Sequence, residues 1–234
     1  MYLESLKKDI KKTANKKRAK VLQRFFKTGK GEYGEGDLFL GITVPQTRKI
    51  AKKYIDLDIL SIESLLNSKI HEERLLALLI LVENYKKSND ERKYQILDFY
   101  LKNTMKINNW DLVDLTADKI LGDYLIDKPK DILYSLANSQ NLWEKRIAII
   151  STLHFIKNNQ FEDSLNISKI LLKDTHDLIN KAVGWMLREI GKRDLKILEK
   201  FLKQNYQEMP RTTLRYAIEK FPEEKRKLYL KGLF

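Results

Sequence analysis

Apolar residues along this chain recur at intervals of three and four, as in Ile132, Leu133 and Leu136 or Leu165, Ile167, Ile170 and Leu171. That spacing puts them on one face of a helix. Leu75 to Val82 is apolar on every side, the pattern of a helix enclosed by other helices. Nine glycines and four prolines in 234 residues are sparse punctuation for a β fold, and five of those glycines (Gly29, Gly31, Gly34, Gly36, Gly41) crowd one loop. Leu38 to Val44 is the one stretch that looks extended, and it is short. The fold class is all-α.

Helix ends are legible as well. Ser88-Asn89-Asp90 offers caps for a helix running through Tyr100, Lys128-Pro129 puts a proline in a first turn, and Asp194 can cap the helix of Leu198 and Leu202 just after Gly191 closes the one before. Helix starts at Trp110, Trp143, His176 and Met209 stand 33 residues apart, and His71 lies one slightly longer step of 39 before Trp110. A period in the thirties with two helices per unit fits a HEAT-like α-solenoid, a single repeat domain over residues 1–234. Chance spacing of helix starts in an all-α chain gives the same numbers.

Charge narrows the partners. The formal net charge is +13, and residues 1–30 carry eleven Lys or Arg against Glu4 and Asp9. Such a surface favours a polyanion, with nucleic acid the commonest; the bland reading is a solvated helix surface. Gly29-Lys30-Gly31-Glu32-Tyr33-Gly34 has the dinucleotide-binding spacing but follows a helix and carries acidic neighbours, so it reads as a loop. Without cysteine, disulfides and thiolate chemistry are excluded, and His71, His154 and His176 lack ligand spacing, so no metal or cofactor is expected. No window of about 18 residues is free of charge and no signal core is present, which predicts a cytoplasmic chain that does not enter a membrane.

Trp110 and Asp114 share a helical face one turn apart, and Asp118 extends the column. An indole and a carboxylate so arranged can hold a cation. Equally, Trp110 can be a core residue beside a capping aspartate, since Asn108 or Asn109 and Asp111 look like a helix start; the residues leave both readings open. Lys145 and Arg146 open the next repeat and can reach phosphates. Trp185 follows Gly184, whose cost of ~1 kcal/mol inside a helix points to a close backbone approach.

Four blocks together resemble the DNA alkylation repair enzyme family of HEAT-like-repeat DNA glycosylases. They are Gly34 to Ile42 with Pro45 and Arg48, Trp110 to Asp114, Arg146 to Ile149, and Ala182 to Glu189, in order along nearly the whole chain. The resemblance implies a basic concave cleft acting on duplex DNA that contains N3- or N7-alkylated purines. It makes Asp114 the catalytic carboxylate, Trp110 and Trp185 its flanking aromatics, and Arg146 the backbone contact beside the lesion. Lys145, Arg48, Arg188 and Arg211 add phosphate contacts. Thr43 departs from the family pattern, in which active relatives often carry a larger polar residue. An alkylated purine is already cationic and leaves readily, so a fixed carboxylate that stabilises the oxocarbenium-like sugar suffices without metal or amine. The family is expected to read the lesion from the backbone side with the duplex stacked, whereas most base-acting enzymes flip the base. Such an enzyme is expected to be a monomer. Two rivals fit the same residues: a non-catalytic solenoid for damaged or branched DNA, and a protein-interaction scaffold.

Overall fold

The computed structural model describes residues 2–233, and these divide into two compact units, one running up to Thr116 and one from Ala117 onward. In the first unit the helices are α1 (Tyr2–Thr13), α2 (Lys16–Phe25), α3 (Val44–Lys53), α4 (Ile59–Leu66), α5 (His71–Lys87), α6 (Asp90–Lys102) and α7 (Trp110–Asp114). The second unit opens with a π-helical turn over Asp118–Gly122 that runs into α8 (Asp123–Leu125). It continues through α9 (Asp131–Ala137), α10 (Leu142–Lys157), α11 (Glu162–Leu171), α12 (Asp177–Gly191), α13 (Leu195–Asn205), α14 (Arg211–Ala217) and α15 (Glu223–Lys231). Among the described residues there is no strand, and no helix is long and apolar enough to cross a membrane.

Each unit is built around one enclosed helix. In the first, α5 packs against α3, α4, α6 and α7, and every residue from Leu75 to Val82 is buried. Burying such side chains contributes roughly 1.5–3 kcal/mol each, which is why a run apolar on all sides can exist only here. In the second, α10 takes the same role against α9, α11, α12 and the π-helical turn. Helices of the 33-residue period begin at His71, Trp110, Leu142, Asp177 and Arg211, within two residues of the expected starts. Bonds between successive repeats carry the period too: Arg146 Nη1 donates to the Leu178 carbonyl (2.5 Å) and Thr213 Oγ1 to that of Asn180 (3.2 Å). Gly184 explains itself in this packing, because a Cβ there would lie 2.5 Å from Tyr216 Cβ and 2.6 Å from the Thr213 carbonyl oxygen on α14.

The caps fall largely where the sequence puts them. The side chains of Asn89 and Asp194 accept from backbone N–H groups at the starts of α6 and α13, as expected, and Asn141, not singled out from sequence, does the same for α10. Three expectations are corrected. Pro129 stands just ahead of Lys130, the N-cap of α9, and not in its first turn, because α9 starts later, at Asp131. Leu38 to Val44 forms no strand: Leu38 makes an isolated bridge with Ile70, and Val44 already belongs to α3. Of the residues that mark the start of α7, Asn109 is the cap, its side chain accepting from the Trp110 N–H at 2.9 Å, and Asp111 is not.

Candidate functional site

The loop between α2 and α3 is shaped by one carboxylate. Glu72, buried on the first turn of α5, accepts hydrogen bonds from the backbone N–H groups of Leu40 (2.9 Å), Gly41 (2.8 Å) and Ile42 (3.1 Å). Gly41 must be glycine, since its φ is +82° and a Cβ would meet the Asn15 carbonyl oxygen at 2.2 Å. This clasp sets Asp37 and Phe39 over the start of α5. His71 Nδ1 then lies 3.1 Å from Asp37 Oδ2, and His71 Nε2 lies 2.9 Å from Asp111 Oδ2 on α7. Arg74 Nη2 completes the cluster with a 2.5 Å ion pair to Asp37.

All four side chains of this cluster are buried. With the imidazole charged, two carboxylates face two cations; a neutral imidazole would leave an excess negative charge out of water. Burial works against the histidine's charge, but the Asp111 charge and the hydrogen bonds to Asp111 and Asp37 outweigh it and hold the pKa up to about 9. His71 therefore bridges two carboxylates as an imidazolium at neutral pH.

Trp110 stands at the edge of this cluster. Its indole stacks on Phe26 (centroids 4.9 Å apart, planes 5° apart), and Phe26 stacks on Phe39 (4.9 Å), which stacks on the His71 ring (4.5 Å). Phe25, 62% exposed, meets the indole edge-on at 5.9 Å. Phe26 is buried while Trp110 is half-buried, and so is Asp114 one helical turn on. The indole and carboxylate thus share the partly open side of α7, while Asp111, Leu112 and Val113 anchor its buried side. Asp118 does not continue this column. The helix ends at Asp114, and Asp118 belongs to the π-helical turn, buried and paired with Lys119 (2.6 Å) and Lys157 (2.9 Å). Burial opposes its ionisation, yet the two lysines hold its carboxyl below the usual range.

The other residues singled out from sequence lie in both units. In the first, half-buried Arg48 lines a groove between α3 and α5 with Lys49, Lys52 and Lys86, against Glu83. In the second, Arg146 is buried with a guanidinium nitrogen on the Leu178 carbonyl, and its neighbour Lys145 pairs with Asp174 at 2.8 Å. Trp185 is half-buried on α12. Burial would raise the Glu189 carboxyl, but hydrogen bonds from Lys192 and the Trp185 indole keep it below its usual value, and the indole's polar edge is thereby fixed. Arg188 is ion-paired with Glu219, and Arg211 is exposed at the start of α14. The structure brings Trp110 and Asp114 together on one helix, and joins the repeats of Arg146 and Trp185 through the Leu178 contact on α12. Among the described residues no group of three or more His, Asp or Glu side chains is disposed to hold a metal ion.

The family model for DNA alkylation repair enzymes matches residues 6–221 of the chain. The chain belongs to the DNA alkylation repair enzyme family. Its fold is similar to that of a solved structure described as a predicted DNA alkylation repair enzyme from Enterococcus faecalis. The TM-score is 0.69 at 16% identity, over 90% of this chain and 98% of that one. No curated protein matches it. A role in alkylation repair, with DNA as substrate, follows for this family member. The residues missed by sequence reasoning are those behind the site. Asp37, His71 and Arg74 tie the loop, α5 and α7 together, and Phe26 and Phe39 back the indole.

Proposed function

We propose that the protein is a monofunctional DNA glycosylase, acting as a cytosolic monomer, that excises N3- and N7-alkylated purines from duplex DNA. The observation that carries this reading is the pair on α7: a half-buried indole stacked on Phe26, and a half-buried carboxylate, Asp114, one turn away. The pair lies inside the family match and belongs to a chain of net charge +13.

The pair suits a cationic centre. Alkylation at N3 or N7 leaves the purine positively charged, so the C1′–N bond breaks with its electron pair returning to the purine, which departs neutral. The sugar is left as an oxocarbenium-like cation. A carboxylate fixed beside it stabilises that charge, and the indole face adds cation–π attraction. Water then adds to C1′ and loses its proton to Asp114 or to solvent. The family resemblance adds Trp185, its N–H fixed on Glu189, as a further aromatic candidate, and Arg146 and Lys145 as candidate phosphate contacts.

Incubation with methylated duplex DNA tests the reading, with released 7-methylguanine and 3-methyladenine measured by chromatography. Base release above the spontaneous rate is expected. Tight binding without release would make the protein a non-catalytic reader of DNA. Binding no stronger than that of another basic protein would leave only a scaffold.

A further inference from the structure

We propose that His71 is a positioning residue for α7, tying it through Asp111 so that Trp110 and Asp114 are held in register for the reaction. The proposal rests on the glycosylase reading for its catalytic consequence, and on geometry alone for the tie.

A helix of five residues cannot hold its own orientation, since isolated helices shorter than about 12–15 residues are marginal in water. Its direction must come from anchors. Leu112 and Val113 are buried but apolar, and apolar contacts fix position better than they fix rotation about the axis. Directional hold comes from two consecutive residues, both reaching the same imidazole. Asp111 binds His71 Nε2 at 2.9 Å, and Trp110 stacks on Phe26, which packs at 5.0 Å against the His71 ring. The far nitrogen of His71 is on Asp37, and Asp37 is gripped by Arg74 from the same helix that carries His71. Three elements therefore close on one ring: the α2–α3 loop, α5 and α7.

The charged groups facing the ring are Asp37 from the loop, Arg74 from α5 and Asp111 from α7; Glu72, next on α5, points its carboxylate at the loop N–H groups. A bridge between two carboxylates needs a donor at each end, which imidazolium has and neither glutamine nor neutral histidine can match. Asp114 lies about 4–5 Å along the axis from Asp111. Loss of the tie and a swing of about 10–15° on that arm would displace Asp114 by about 1 Å. A misplacement of about 1 Å can cost about 10²-fold in rate.

The experiment pairs His71→Gln and Asp111→Asn with the wild type, each labelled with 5-fluorotryptophan and followed by ¹⁹F NMR. Trp110, Trp143 and Trp185 give three resonances, assigned by single Phe substitutions. The Trp110 resonance is expected to titrate with a midpoint near pH 9, while the other two stay still, and His71→Gln should shift it at pH 7 and abolish the titration. Single-turnover excision should fall at least tenfold in His71→Gln with undamaged-duplex Kd unchanged within twofold, and less in Asp111→Asn, which keeps an acceptor for His71. Purely structural support would leave no pH limb that disappears with His71. A Trp110 resonance indifferent to pH and to His71→Gln overturns the tie, whatever excision does. A resonance that responds as expected in a wild type without excision supports the tie and overturns the glycosylase reading.

Discussion

Gly184→Ala sets two opposed effects against each other in α12, and the sign of the outcome decides between them. In a helix interior alanine is favoured over glycine by about 1 kcal/mol, so without further contacts the variant would be stabilised by that much. The structure puts a new Cβ 2.5 Å from Tyr216 Cβ and 2.6 Å from the Thr213 carbonyl oxygen. Carbon atoms at rest lie about 3.5–4 Å apart, so α14 must retreat by about 1 Å. Overpacking of this kind costs about 1–3 kcal/mol. The retreat also stretches the bond from Thr213 Oγ1 to the Asn180 carbonyl, 3.2 Å long, which contributes about 0.5–1.5 kcal/mol. The net expectation is destabilisation by about 1–3 kcal/mol, or a drop of roughly 2–10 °C in Tm for a chain of this size. Thermal unfolding followed by far-UV circular dichroism measures it. A Tm equal to or above that of the wild type would refute the close approach of α14 to α12.

Stability should depend on pH through His71. Its folded pKa of about 9 against 6.5 for an ordinary histidine means a contribution of about 3 kcal/mol, fully present below pH 6.5 and lost as pH rises towards 9. Urea unfolding at a series of pH values should show this decline in the wild type and not in His71→Gln; a wild-type curve flat over that window would contradict the buried imidazolium. Duplex affinity should fall with rising salt, log K declining by about 0.9 for each phosphate neutralised. Replacing Lys17, Lys20 and Arg24, all exposed on α2, by Ala should flatten the slope by up to about 2–3 in fluorescence-anisotropy titrations, and an unchanged slope would remove α2 from the DNA contact.

How far the sequence carries this account depends on the range of the interaction. The caps of α6 and α13 and the all-apolar run of α5 are local or periodic, and they are found where the residues put them. Gly184 is legible because a glycine costs a helix something, and the α14 contact supplies the reason. The pairing of Trp110 with Asp114 is legible for the same local reason: one helical turn separates them. Asp111 is not, because its partner stands 40 residues away and an aspartate near a helix start looks like a cap. The signal for it was present in His71-Glu72-Glu73-Arg74. These four residues head a helix apolar on every side, so their polar groups are buried with it and need partners from elsewhere. Nothing local names those partners. Asp118 misleads in the opposite way, since a spacing of four implies a shared face only while the helix continues, and α7 stops at Asp114.

Single-turnover release of 7-methylguanine from a methylated duplex, by wild type and by Asp114→Asn, bears most directly on the proposed chemistry. The substitution keeps the shape of the side chain and removes the charge that would face the sugar cation. Loss of one preorganised electrostatic group costs roughly 3–4 kcal/mol, so the rate should drop by about 10²–10³. Affinity for undamaged duplex should hold or tighten slightly, because a negative charge near phosphates is gone. A folded Asp114→Asn protein that releases 7-methylguanine at the wild-type rate would contradict the assignment of the catalytic carboxylate.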